Sequence, residues 1–263
     1  MNDFLYDNIL GSDFELMPCR FDSSGGIETV DMGSQMSNSF VKLVGSDEQI
    51  IINKDYSSTL SISFQVCKRN CREGFKEITP DEYSKINRWL NRKESHPLKF
   101  MQEGYENLYF LGTFNIQALK LNDKIYGLNL TFFSNYPYGF LDEITTHYTG
   151  NHFTLYDYSD EEGELFPFVV IQCLEDGDLQ ITNDMDNELF LLKNCKQHEI
   201  LHIDNKNHLI TSSNELHNQN LYNDYNFNYI KICNRYNNRA NNYSSSLNID
   251  ISFQYSPIRK VGV

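Results

Sequence analysis

The sharpest chemistry in this chain lies at His198-Glu199-Ile200-Leu201-His202, with His208 following. The run spells H-E-x-x-H, and His208 falls where a third ligand stands in the extended zinc-peptidase pattern. On a helix, residues four apart share a face, so His198 and His202 would hold one zinc ion while Glu199 acted as general base on an attacking water. That chemistry needs the helix, and the flanks speak against one. Ile203 is β-branched, Asp204-Asn205-Lys206-Asn207 is turn material, and Asn205 occupies the position of the glycine that bends the chain toward the third ligand. No methionine follows Met185 in this sequence, so the Met-turn of that peptidase class is missing. The competing reading is a hairpin: Leu201 and Ile203 run into a four-residue turn, and His208-Leu209-Ile210-Thr211 runs back. On a strand, residues four apart are separated by about 13 Å, too far to share an ion. The hairpin is the stronger expectation, and with it no catalytic residue, cofactor or metal.

Other constellations are thinner. Cys67 and Cys71 form a close pair, but CxxxC without a second Cys or His pair reads as two unrelated thiols. Asp160, Glu161, Glu162 and Glu164 could offer oxygens to calcium, yet they lack EF-hand spacing, and the run Asp157 to Glu164 reads as an exposed acidic loop. Tyr222, Tyr225, Phe227 and Tyr229 could stack on sugars, although a core strand after a turn explains them as well. The chain has no G-x-S-x-G elbow, no P-loop and no G-x-G-x-x-G.

The elements that must position these residues are mostly strands. The exception is the stretch from Ile78 to Phe100. Thr79 is a good N-cap, Pro80 suits the first helical position, and Glu82 completes a capping box. Tyr83, Ile86, Trp89 and Leu90 recur at helical spacing, so the only tryptophan is expected to anchor a helix on a sheet. His96-Pro97 ends the helix and Leu98-Lys99-Phe100 starts a strand. Phe14 to Met17, Phe40 to Val44 and Gln49 to Ile52 read as strands, and Asp22 to Gly26 as a turn. Leu60, Ile62, Phe64 and Val66 alternate with polar residues, the mark of a half-buried strand. Asn107 to Leu121 and Ile125 to Ser134 predict a long hairpin, with Leu128, Leu130 and Phe132 on one face. Asn135 to Gly139 breaks the pattern and makes a domain edge, giving domains 1–138 and 139–263. After Phe140 only strands and turns are predicted, with a loop near Asn237 to Asn242 and a final alternating strand from Leu247 to Tyr255. Strands at such spacing suggest a β-sandwich.

Composition agrees with a β-rich protein. The chain of 263 residues carries 17 Tyr and 18 Phe, and its formal net charge is -14. Such a charge argues against gripping phosphate backbones and suits a wall past which DNA slides. No apolar run reaches the roughly 20 residues of a membrane span, and the acidic N-terminus does not read as a signal peptide. The chain is therefore expected to be made in a cytoplasm, with its six cysteines reduced.

The helix ITPDEYSKINRWLNRKESHPLKF, the strand ENLYFLGTF and the closing LNLTFFSNYPYGF, with the earlier STLSISFQV, resemble the N-terminal domain of distal tail proteins of siphophages that infect Gram-positive hosts. LFPFVVIQCLEDGDLQITN, EILHIDNKNHLITSS and NIDISFQYSPIRKVGV resemble the second domain of the same family, in the same order. The resemblance implies a mainly β fold of two β-sandwich-type domains, the first with one helix and a long hairpin, the second galectin-like. It also implies a hexameric hub, as one ring or two stacked rings, at the tip of the tail. Its partners would be the tail tube protein, the tail-associated protein and a receptor-binding protein or fibre, and DNA would cross its channel without specific binding. The virion tail tip is the expected location, and neither an enzyme nor a membrane-inserted protein is expected. The hairpin from Asn107 to Ser134 is a candidate ring contact, and channel-facing residues are expected to be net acidic or neutral. The alternatives are a carbohydrate-binding module for host glycans and the zinc peptidase.

Overall fold

The computed structural model describes residues 3–19, 21, 36–45, 47–56, 59–70 and 74–260. The predicted turn at Asp22 to Gly26 and the thiol of Cys71 lie outside them. The chain divides into two compact units, Met1–Leu141 with Arg259–Val263, and Asp142–Ile258. Both are mainly antiparallel β, the class expected from the sequence.

The first unit contains β1 (Asp3–Tyr6), β2 (Ile9–Leu10), a 3-10 turn (Gly11–Phe14), β3 (Leu16–Cys19), β4 (Met36–Lys42), β5 (Gln49–Tyr56) and β6 (Ser61–Asn70). Then come β7 (Gly74–Lys76), α1 (Pro80–Leu90), β8 (His96–Met101), β9 (Leu108–Leu121), β10 (Lys124–Ser134) and β11 (Gly139–Leu141). One sheet runs β2-β1-β8-β9-β10-β6-β3, with β7 beside β6 and β11 beside β9. The predicted long hairpin is β9–β10. Leu128, Leu130 and Phe132 are buried on one face, and Phe132 pairs across with buried Phe114. Flanked by β8 and β6, the hairpin lies in the middle of its own sheet rather than at an edge. Phe14 belongs to the 3-10 turn, not to the strand expected there, because Glu15 at φ 57 ends the turn before β3 begins.

α1 forms as its cap predicts. The Thr79 hydroxyl accepts from the Glu82 N–H, and the Glu82 carboxylate accepts from the Thr79 N–H at 2.9 Å. Ile86, Trp89 and Leu90 are buried. The Trp89 ring stacks on Phe14 at 4.7 Å and on Phe4 at 5.7 Å, and its N–H donates to the Tyr6 carbonyl at 3.1 Å. The helix is thus fixed to β1 both by ring contact and by a hydrogen bond to backbone.

Lys68, 8% exposed, holds Glu82 at 2.6 Å and Glu15 at 2.8 Å. The Lys68 ammonium, with the Thr79 N–H, brings the Glu82 carboxyl down from an ordinary 4.5 to about 2. A depressed carboxyl contributes stability that is complete above pH 4.5 and is lost as pH falls toward 2. Lys68→Ala is expected to cost about 2 kcal/mol at neutral pH. Urea denaturation across the acid range should also show a flatter pH dependence in that variant.

β4 and β5 form a two-stranded sheet that joins no other strand among the described residues. Phe40 faces Ile51 and Val41 faces Ile50 across it. Both strands are exposed over nearly their whole length, with Phe40 53% and Ile52 62% exposed.

The second unit contains β12 (Ile144–Tyr156), β13 (Gly163–Leu165), β14 (Phe168–Cys173), β15 (Gly177–Asn183), β16 (Leu189–Cys195), β17 (Ile200–Asp204) and β18 (Leu209–Ser212). α2 (Glu215–Asp224), β19 (Ile232–Asn234) and β20 (Ala240–Tyr255) follow, while β21 (Ile258–Arg259) pairs with β11 in the first sheet. The main sheet runs β16-β15-β20-β14-β17-β18. β20 is its axis: β12 follows one edge from Ala240 to Tyr255, while β15 and β14 share the other. Val169, Ile171, Ile181, Leu201, Ile203, Ile249, Ile251 and Phe253 fill the core. Two expectations are corrected. α2 occupies a stretch read as strand and turn; ELHNQNLYND buries only His217 and Leu221, so it has almost no amphipathic signature. β20 begins inside the predicted Asn237–Asn242 loop, because Asn241 is fully buried and acts as a strut, accepting from Cys233 N at 2.7 Å and donating to Cys233 O at 2.9 Å.

Candidate functional site

The histidine motif lies on a hairpin. β17 pairs with β18 from Leu201↔Ser212 to Asp204↔Leu209, as the hairpin reading requires. Its side chains go to opposite faces. Glu199, Leu201 and Ile203 are buried, whereas His202 is exposed, paired with Val170 and Thr211. His198 is exposed in a left-handed turn at φ 67. His208, at φ 58, stacks on Tyr229 at 4.4 Å. The peptidase geometry therefore does not form: its general base is buried away from the exposed His202. His202→Ala is expected to change stability by less than about 0.5 kcal/mol, since it removes only an exposed strand side chain. Thermal and urea denaturation check this.

Glu199 instead builds a cluster that the spacing did not reveal. A tight turn after β16 lets the Lys196 N–H donate to Glu199 Oε2 at 2.8 Å, while the His198 N–H donates to the Cys173 carbonyl at 2.7 Å. The Glu199 N–H closes the turn onto Lys196 O at 3.0 Å, and Cys173 N–H donates to Glu199 O at 2.9 Å. His217 enters from the first turn of α2, where Asn214 caps the N–H groups of Leu216 and His217. His217 Nδ1 lies 2.5 Å from Glu199 Oε1, with the two side chains 4% and 1% exposed, and the Ser212 hydroxyl donates to the same oxygen. His217 Nε2 is buried without a hydrogen-bond partner, 3.8 Å from Asp224 Oδ2. The Cys195 thiol stands within the same cluster. Its Sγ donates to the Leu192 carbonyl at 3.5 Å. The neighbouring Cys173 thiol, burial and the Glu199 charge push its pKa up. The signal that could have found this group was Asn214, a helix cap just upstream of a histidine.

The remaining candidates disperse. Cys67 is buried beside Cys19, not shown with Cys71; burial and that neighbouring thiol push Cys19 up to about 12. The acidic loop is exposed at Glu162 and Glu164, but Asp157 is fully buried, accepting from Ser159 Oγ at 3.0 Å and Asn234 Nδ2 at 2.7 Å. Lys231 bridges Glu164 and Glu188, each at 3.1 Å. The aromatic group does not form a strand: Tyr222 is exposed in the last turn of α2, Tyr225 is buried, and Phe227 lies 5.4 Å from the Tyr222 ring.

Comparison with known proteins follows the division of the chain. Residues 1–136 match a family model described as phage tail protein N-terminal domain, and residues 136–255 match one described as phage tail C-terminal domain. Among solved structures, the chain is similar to the crystal structure of the Dit (gp 19.1) protein of SPP1, described as a paradigm of the hub adsorption apparatus in phages infecting Gram-positive hosts. That likeness has a TM-score of 0.68 at 11% identity and covers 97% of this chain and 99% of that one. At that identity it speaks of fold. No curated protein matched the chain.

Proposed function

The chain belongs to the phage tail protein family whose two domain models it matches in sequence order, and from that premise we propose that it is a distal tail protein that assembles into a hub at the tail tip. In this reading six copies close a ring, stacked singly or in pairs. The ring joins the tail tube to the tail-associated protein and to host-adsorption parts, and DNA crosses its channel. The role is structural and involves no catalysis.

The observation that carries the reading is the β4–β5 hairpin. An isolated two-stranded ribbon is marginal in water, and this one exposes Phe40, Val41, Ile50, Ile51 and Ile52 together. Exposed strand edges and apolar faces of this kind mark contact with another chain. A hairpin seated on a different surface of the next copy is a head-to-tail contact, and rotation closes such contacts into a ring. The net charge of -14 supports a channel that does not hold DNA. Native mass spectrometry of the purified chain tests the proposal. A sixfold or double-sixfold mass is expected; a monomer at every concentration would overturn it.

A further inference from the structure

The sequence leads to the expectation that no metal is held. The buried cluster at Glu199 points the other way. Cys195, Glu199 and His217 each offer a ligand atom, and all three atoms lie within 4.8 Å of one another. These residues come from separate places, the end of β16, the turn before β17 and α2, so their convergence is tertiary. The turn that carries Glu199 is held by backbone bonds to Cys173, whose N–H donates to Glu199 O and whose carbonyl accepts from His198. None of the three ligand residues is exposed.

His217 Nδ1 lies 2.5 Å from Glu199 Oε1, and Nε2 is buried without a hydrogen-bond partner, 3.8 Å from Asp224 Oδ2. Ligating histidines turn their second ring N–H toward a carboxylate, the position that Asp224 holds. Two ligand atoms on a tetrahedral zinc stand about 3.3 Å apart, so Nδ1 and Oε1 separate by less than about 1 Å to admit it. A thiolate and an imidazole in the donor set select zinc over calcium or magnesium. An open pocket of about 440 Å³, lined in part by Lys196, His217 and Asp224, gives an entry path.

We infer that this chain binds one zinc-class divalent ion at Cys195, Glu199 and His217, a structural site that fastens α2 to the β16–β17 turn. The Cys195 thiol gives up its proton to solvent as the metal–sulfur bond forms. The site owes nothing to His198 or His202, and it is independent of the tail assignment.

The full chain, stripped with a chelator under reducing conditions, is titrated with Co²⁺ and then with Zn²⁺. One equivalent of Co²⁺ should bind with thiolate-to-metal charge-transfer absorption, and Zn²⁺ should displace it. Cys195→Ser keeps the size of the side chain and leaves the Glu199–His217 pair in place. It should remove that absorption and weaken binding about tenfold or more. His202→Ala should alter neither. Three results would each overturn the site: no sulfur absorption from a wild-type chain that circular dichroism shows to be folded, unchanged binding in Cys195→Ser, or loss of binding in His202→Ala.

Discussion

Phe40→Asp combined with Ile51→Asp leaves the chain folded and monomeric. The two residues are cross-strand partners in β4–β5, and both are about half exposed in the single chain. Neither supports the core of the first unit, which is built from β1, β6, β8–β10 and α1. Removing them therefore costs folding little, within about 0.5 kcal/mol. In the assembly they would be the buried centre of a contact, where each large apolar side chain contributes about 2 kcal/mol, and burying a carboxylate adds to the penalty. Together the substitutions remove about 4 kcal/mol per contact, roughly a thousandfold in association. Sedimentation velocity checks the mass and thermal unfolding checks the fold. An oligomer as stable as the parent's would place the contact elsewhere.

The second large effect is on stability. Trp89→Ala is expected to cost about 3–5 kcal/mol. The indole is 5% exposed, lies between Phe14 and Phe4, and donates to the Tyr6 carbonyl. Truncation opens a cavity between α1 and β1 and strands a buried carbonyl as well. Trp89→Phe retains much of the ring contact but loses the donor, and should cost about 1–2 kcal/mol less than alanine. Because Trp89 is the sole tryptophan, the parent's unfolding follows from its fluorescence, while the variants require circular dichroism.

What the sequence revealed depended on whether a structural reason was local. α1 was legible because its cap, its first-turn proline and its apolar spacing all lie within thirteen residues, Ile78 to Leu90. The Leu247–Tyr255 end of β20 was legible because alternation over one strand records a single buried face. The H-E-x-x-H run was correctly placed on a hairpin from its β-branched residue and its turn. The burial of its glutamate was not legible, because its partners Ser212 and His217 are brought to it by tertiary folding. α2 escaped notice because three of its ten residues are asparagine and only two are buried. β4 and β5 were legible as strands but not as exposed ones: the pattern shows apolar residues, not whether the chain itself covers them.

The position of β20 constrains how the second unit comes into being. Every strand that it pairs with, β12, β14 and β15, leaves the ribosome earlier, and none of these three can complete its ladder until residues 240–255 arrive. Synthesis of this half is therefore a period of waiting, with Val169, Ile171 and Ile181 uncovered in a nascent chain of low local order. A premature stop between Asp142 and Ala240 yields the Met1–Leu141 part of the first unit attached to an aggregation-prone tail rather than a shortened sandwich.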